Sequence, residues 1–211
     1  MAVLAVALVL SGYGAAVAIG GFNGKGGSTS TVTTTVTNST TSSPFVITLV
    51  LTNANTFNST VGQMPSFYLL GPNGLESAAK LSLPAHRMIK LVIVNYDEGN
   101  ATLNVPNDNV VSGTSDGTIF VASNSNINSS QGAAGIVVKG GAQVTSVLPK
   151  YVAHTFTVPD LNLDIPLPVS STVVAFFSVD KAGTYLWYCM TACGDPAMSS
   201  PGWMRGSLVA S

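Results

Sequence analysis

Short runs of apolar, largely β-branched residues recur from residue 45 onward, each closed by turn-forming residues. "FVITLVLTNA" at 45–54, "IKLVIVNY" at 89–96, "AFFSV" at 175–179, "GTYLWYC" at 183–189 and "RGSLVA" at 205–210 have the length and composition of strands. No stretch in this region shows a helical period. Pro65, Pro72, Pro84, Pro106, Pro149, Pro159, Pro166 and Pro168 punctuate the runs. The pattern predicts an all-β head over residues 45–211, built as a sandwich or barrel.

Residues 1–22, "MAVLAVALVLSGYGAAVAIGGF", follow a different rule. They carry no charge, and a helix of that length, at ~1.5 Å per residue, covers a ~30 Å hydrocarbon core. A cleaved signal would open on a basic stretch, and the first basic residue is Lys25, beyond the apolar run. The expectation is one retained N-terminal transmembrane helix. Residues 23–44, "NGKGGSTSTVTTTVTNSTTSSP", read as an extended Ser/Thr-rich stalk. Within the head, residues 106–150 are rich in Gly, Ser and Asn and read as an insertion holding one hairpin.

Charged residues make up only 8% of the chain, and the net charge is −1. No basic cluster is present, which removes the electrostatic footprint of a nucleic-acid binder. Hydroxyl and amide side chains supply the polarity instead, as would suit an acidic exterior where carboxylates protonate. A glycosylated surface is the alternative. Asn38, Asn58, Asn100 and Asn128 each begin an Asn-x-Ser/Thr sequon and favour an extracytoplasmic location. No nucleotide-binding glycine loop and no nucleophile triad is evident.

The chemistry gathers near the C-terminus, in "WYCMTACGDPAMSSPGWMRG". Cys189 and Cys193 are the chain's two cysteines, and Met204 follows in "GWMRG". His154 opens the segment "HTFTVPDLNLDIPLP" upstream. An imidazole, two thiolates and a thioether form a soft ligand set suited to copper. A disulfide between Cys189 and Cys193 in an oxidising exterior remains the alternative. His86, in "PAHR", has no ligand-like neighbour and reads as structural or exposed. Met190, Met198, Trp187 and Tyr188 read as packing residues, and Trp203 as core or as an exposed aid to electron entry.

In this order — His154, a strand, Cys189-x-x-x-Cys193-Gly, then Met204-x-Gly before a last apolar strand — the sequence resembles the CuA-type cupredoxin domain in subunit II of haem–copper terminal oxidases. The resemblance covers residues 150–211 and, more weakly, 81–105. It implies a cupredoxin-like Greek-key β-sandwich on a single-pass anchor in the cell membrane, with the globular domain outside. It also implies copper ligation by His154, Cys189, Cys193 and Met204, with the backbone carbonyl of Thr191 as a further ligand. The family's second histidine is missing, since Pro201 or Ala197 stands where it would fall. The site therefore matches one copper ion, or none, and a quinol-linked oxidase that has lost the complete dinuclear centre. The implied partners are a haem-bearing oxidase subunit I and, as electron source, a membrane quinol or a small electron-transfer protein. The archaeal sulfocyanins are also similar in anchor, stalk and polar insertion, which leaves a membrane-anchored mononuclear copper carrier as an alternative. A metal-free glycosylated surface or filament protein is the third reading.

Overall fold

The structure is a computed structural model and describes residues 42–53, 64–99, 103, 106–128, 137, 138 and 140–211. The expected membrane helix, most of the stalk and the sequons at Asn38, Asn58 and Asn100 lie outside the described residues. Asn128 falls in a two-residue strand. Among the described residues, no helix is long and apolar enough to cross a membrane.

Residues 42–211 form a compact unit of two packed sheets. The first sheet contains β1 (Phe45–Thr52), β2 (Ser66–Gly71), β3 (Gly74–Ser77), β5 (Met88–Asn95), β6 (Ile119–Ser123), β9 (Ala142–Val144) and β12 (Ser171–Ser178). Its order is β3-β2-β1-β5-β12-β6-β9. The second contains β4 (Lys80–Leu83), β10 (Val152–Val158), β11 (Leu163–Pro168), β13 (Gly183–Tyr188) and β14 (Arg205–Ala210), in the order β11-β10-β13-β14-β4. Two parallel pairings, β1 with β5 and β4 with β14, interrupt otherwise antiparallel ladders. A separate antiparallel pair joins β7 (Ile127–Asn128) and β8 (Val137–Val138).

Alternation along the strands explains the two layers. A side chain at every second position faces the same side of a sheet. Leu49 and Leu51 of β1, Ile89, Leu91 and Ile93 of β5, and Val173, Ala175 and Phe177 of β12 enter the common core. Phe156 and Val158 of β10, Trp187 of β13 and Leu208 of β14 meet them from the other sheet. Phe67 of β2 spans the gap, edge-on to Trp187 at 5.3 Å, and Trp187 stacks on Phe156 at 5.4 Å. Such aromatic pairs add roughly 0.5–1.5 kcal/mol each beyond the area they bury. Val92, Val94 and Val174, on the opposite face of the first sheet, form a second small cluster with Phe120.

The 106–150 stretch departs from the expected single hairpin. Its "TIFVA" island becomes β6, which pairs with β12, and "AQV" becomes β9, which pairs with β6. The stretch therefore widens the first sheet, while β7 and β8 pair within the excursion between β6 and β9. Gly, Ser and Asn dominate its composition, so only the brief alternation around Ile119 and Val121 marks the strand that joins the sheet.

Candidate metal centre

His154, Cys189 and Cys193 come together from two strands of the second sheet and the loop beyond them. His154 shares a face with Phe156 and Val158, so β10 aims its ring into the sandwich. A register shift in the pairing with β11 falls between Val152 and His154, at the start of the strand. Cys189 lies one residue beyond β13 and keeps the inward parity of Trp187. Its amide donates to the Met204 carbonyl at 2.8 Å, and that link ties the site to the segment entering β14. Cys193 sits on the following loop, where its amide donates to the Thr191 carbonyl at 2.9 Å.

Among the described residues, His154, Cys189 and Cys193 form a group whose ligand atoms all lie within 4.8 Å of one another. His154 Nδ1 stands 3.2 Å from Cys193 Sγ and 3.9 Å from Cys189 Sγ. The sulfurs are 3.3 Å apart and both cysteines are free. A tetrahedral ion with metal–sulfur bonds of about 2.3 Å and a metal–nitrogen bond of about 2.0 Å needs N···S and S···S edges of about 3.6 and 3.8 Å. The two N···S distances bracket their edge, and the sulfurs stand closer than theirs, so they would have to move apart by about half an ångström to admit one ion. The donor set fits a single soft metal.

The opposite edge of the imidazole carries the clearest sign of a built site. His154 Nε2 is 2.7 Å from Asp97 Oδ2, and both groups are buried. Asp97 follows the end of β5, and its other oxygen accepts from Asn53 Nδ2 at 3.0 Å and Gly99 N at 2.8 Å. Its amide donates to Asn95 Oδ1 and its carbonyl accepts from Ser170 N. A proton held on Nε2 by this carboxylate leaves Nδ1 as a lone-pair donor facing the sulfurs. That is how metal-ligating imidazoles are commonly oriented.

The electrostatics of the metal-free site follow from this geometry. Burial alone would depress the His154 pKa, but the hydrogen bond to Asp97 and the neighbouring Cys189 sulfur outweigh it, raising it to about 9. Burial opposes ionisation of Cys189, yet hydrogen bonds from Cys193 and His154 pull its pKa well below the ordinary thiol value. The bond to Cys189, together with burial, pushes Cys193 up. Desolvation opposes ionisation of Asp97, and the His154 and Gly99 bonds overcome it and hold its pKa down. With no metal present, these shifts favour the charged forms of His154, Cys189 and Asp97 and the protonated form of Cys193.

Thr191 enters by more than its carbonyl. Its hydroxyl lies 3.1 Å from Cys189 Sγ, 3.3 Å from Cys193 Sγ and 3.1 Å from the Ala153 carbonyl. The Thr155 amide adds a donor to Cys189 Sγ at 3.3 Å. Met204 is fully buried beside Cys189 through the backbone link. Ala197 is buried in the core and Pro201 is exposed, and neither carries a donor side chain. His86 is exposed, with a left-handed backbone (φ 58°), and lies outside the cluster. Trp203 is only 7% exposed, so it is core and not the exposed electron-entry residue entertained for it. Nothing in the sequence singles out Asp97 or the Thr191 hydroxyl. Asp97 adjoins Glu98 at the end of an apolar strand, and nothing local separates the two acids.

No protein-family model matches the chain, and no curated protein matches it. Several solved structures resemble it at low identity. The periplasmic domain of subunit II of cytochrome oxidase (CoxB) of Bradyrhizobium japonicum is 12% identical, with a TM-score of 0.33, covering 78% of this chain and 83% of that one. Rusticyanin from Thiobacillus ferrooxidans is 14% identical, with a TM-score of 0.32, covering 80% of this chain and 79% of that one. A multicopper oxidase is 11% identical with a TM-score of 0.33. The match covers 79% of this chain and spans 43% of that protein's length.

Proposed function

We propose that the chain is a membrane-anchored, cupredoxin-like electron-transfer domain that holds one copper ion through His154, Cys189 and Cys193. The observation that carries this reading is the convergence of one nitrogen and two sulfurs, with the nitrogen aimed by the buried Asp97 carboxylate. Two thiolates suit copper in its reduced state, and one copper ion cycling between two oxidation states would carry one electron. The residues around it do the rest. Asp97 fixes the ring, the Thr155 amide stabilises sulfur charge, the Thr191 hydroxyl shares its one proton between the Ala153 carbonyl and the sulfurs, and Trp187 and Met204 keep water from the inner side. Cys193, half-buried, is the ligand nearest the surface and so the side from which an electron would enter or leave.

The sequence order His154–Cys189–Cys193–Met204 supports a place as the subunit II-like component of a haem–copper terminal oxidase. Oxygen chemistry would then belong to a haem-bearing subunit I, and electrons would come from a membrane quinol or a small electron-transfer protein. An independent copper carrier anchored to the same membrane is the second reading, favoured by the room for one ion.

A redox titration of the full chain tests the electron-transfer role. The account expects a thiolate-to-copper absorption band that bleaches reversibly as a one-electron couple and disappears in Cys189→Ser. A chain that loads copper but shows no reversible couple would refute it. Gentle solubilisation of native membranes separates the two settings. Recovery with a haem-bearing multispan subunit supports the oxidase, and recovery as a lone copper protein supports the carrier.

A further inference from the structure

A groove of about 650 Å³ opens where the 106–150 stretch meets the turn between β11 and β12. Its floor is apolar, with Val121, Ala142, Val144 and Val169 among the lining side chains. None of its lining residues is charged. Three hydroxyls, those of Ser146, Tyr151 and Ser170, border this floor and have no hydrogen-bond partner among the described residues.

Backbone hydrogen bonds hold the walls in place. Val169 N donates to the Tyr151 carbonyl at 3.1 Å, and Asn124 N donates to the Ser170 carbonyl at 3.2 Å. At Gly141, with φ +135°, an added Cβ would fall 2.4 Å from the Val121 carbonyl, so only glycine lets the chain close this side. The groove also abuts the metal centre's outer shell. Ser170 N donates to the carbonyl of Asp97, whose carboxylate holds His154.

We propose that this groove is a binding site for a neutral, largely apolar small molecule bearing hydroxyl or carbonyl oxygens, of the hydroxy-aromatic class. The volume falls in the range of small-molecule sites, roughly 300–1,000 Å³, and the mix of apolar floor with a few polar groups is theirs as well. The nearest charge is the exposed Lys150 ammonium, 4.8 Å over the Tyr151 ring and screened by solvent, so a charged ligand seated on the apolar floor would lose its hydration with little to replace it. A purely apolar one would gain nothing from the three hydroxyls that border the floor. The site goes beyond the copper reading and stands without it, since none of its lining residues is a proposed ligand.

Equilibrium binding of 2-naphthol to the copper-free full chain, followed by naphthol fluorescence, is the test. Naphthalene and 2-naphthoate serve as comparison probes. One saturable site per chain is expected, with naphthoate about tenfold weaker or worse, which corresponds to about 1.4 kcal/mol. Ala142→Trp fills the groove from an exposed position and should abolish binding. Tyr151→Phe and Ser170→Gly each remove one hydroxyl while keeping the local backbone. Together they should weaken naphthol roughly two- to tenfold per hydroxyl and leave naphthalene unchanged. Equal binding of naphthol and naphthoate would overturn the proposal. So would naphthol affinity unchanged in all three variants.

Discussion

The Asp97 carboxylate holds the His154 imidazole by its Nε2 edge at 2.7 Å, across 57 residues of sequence and between the two sheets of the sandwich. That single contact turns the other ring nitrogen toward two cysteine sulfurs. Replacing Asp97 with Asn keeps the shape but removes the charge that fixes the tautomer. Loss of such an outer partner typically weakens metal binding about 10- to 100-fold. Copper affinity of Asp97→Asn, measured by competition with a chelator of known strength, should fall by that amount. An unchanged affinity would mean that Asp97 serves folding alone.

Thr191 offers a subtler test. Its hydroxyl touches both sulfurs and the Ala153 carbonyl. Thr191→Val removes the hydroxyl at nearly constant volume and leaves sulfur charge less stabilised. The reduction potential of the copper site should drop, because the reduced state carries more negative charge on the ligands. Thr191→Ser should restore it. A potential unmoved by Val, or moved equally by Ser, would assign the residue to packing.

Gly206 reports on the link between core and site. It pairs with Trp187 across β13 and β14, and an added Cβ would fall 2.6 Å from Trp187 Nε1 and 2.8 Å from the Ala79 carbonyl. Gly206→Ala must displace the indole two residues before Cys189. Overpacking of this kind costs about 1–3 kcal/mol, or about 3–10 °C in Tm for a domain of this size. Thermal unfolding checks it, and an unshifted Tm would show that the indole has room to yield.

Asp164 sets a pH dependence of opposite sign to the usual carboxylate. Burial raises its pKa to about 6, the Thr157 hydroxyl bond resists, and the Asp108 charge adds to the rise. The folded state therefore holds this proton more tightly than the unfolded chain. Its contribution to stability is complete below about pH 4 and is lost as pH rises through about 6. Asp164→Asn should remove that slope and gain on the wild type at neutral pH relative to acid pH. Denaturant midpoints near pH 4 and pH 7 test this, and a pH-independent difference would contradict it.

Much of the sandwich is written in local alternation. "FVITLVLT" places a large apolar side chain on one face at every second position, "STVVAFFS" is apolar through its centre and "RGSLVA" alternates small and apolar residues inward, and each becomes a strand of the core. The "TIFVA" island is different. Its pairing with β12 joins segments far apart in the chain, and a Gly/Ser/Asn-rich setting masks it. The site divides in the same way. His154, Cys189 and Cys193 are residue types whose chemistry can be named from sequence, and their ligand atoms do converge. Asp97 is an ordinary acid just past a strand until β5 and β10 are packed together. Burial gives it a role, and burial of a single polar residue has no local signature.

Copper content of the full chain, counted together with its free thiols on the same native membrane material, tests the central claim most directly. The account predicts one copper per chain, both thiols free after the metal is removed, and no copper in a His154→Ala, Cys189→Ser double variant. Copper-free protein with a Cys189–Cys193 disulfide would contradict it. Two copper ions per chain would contradict the single-ion site.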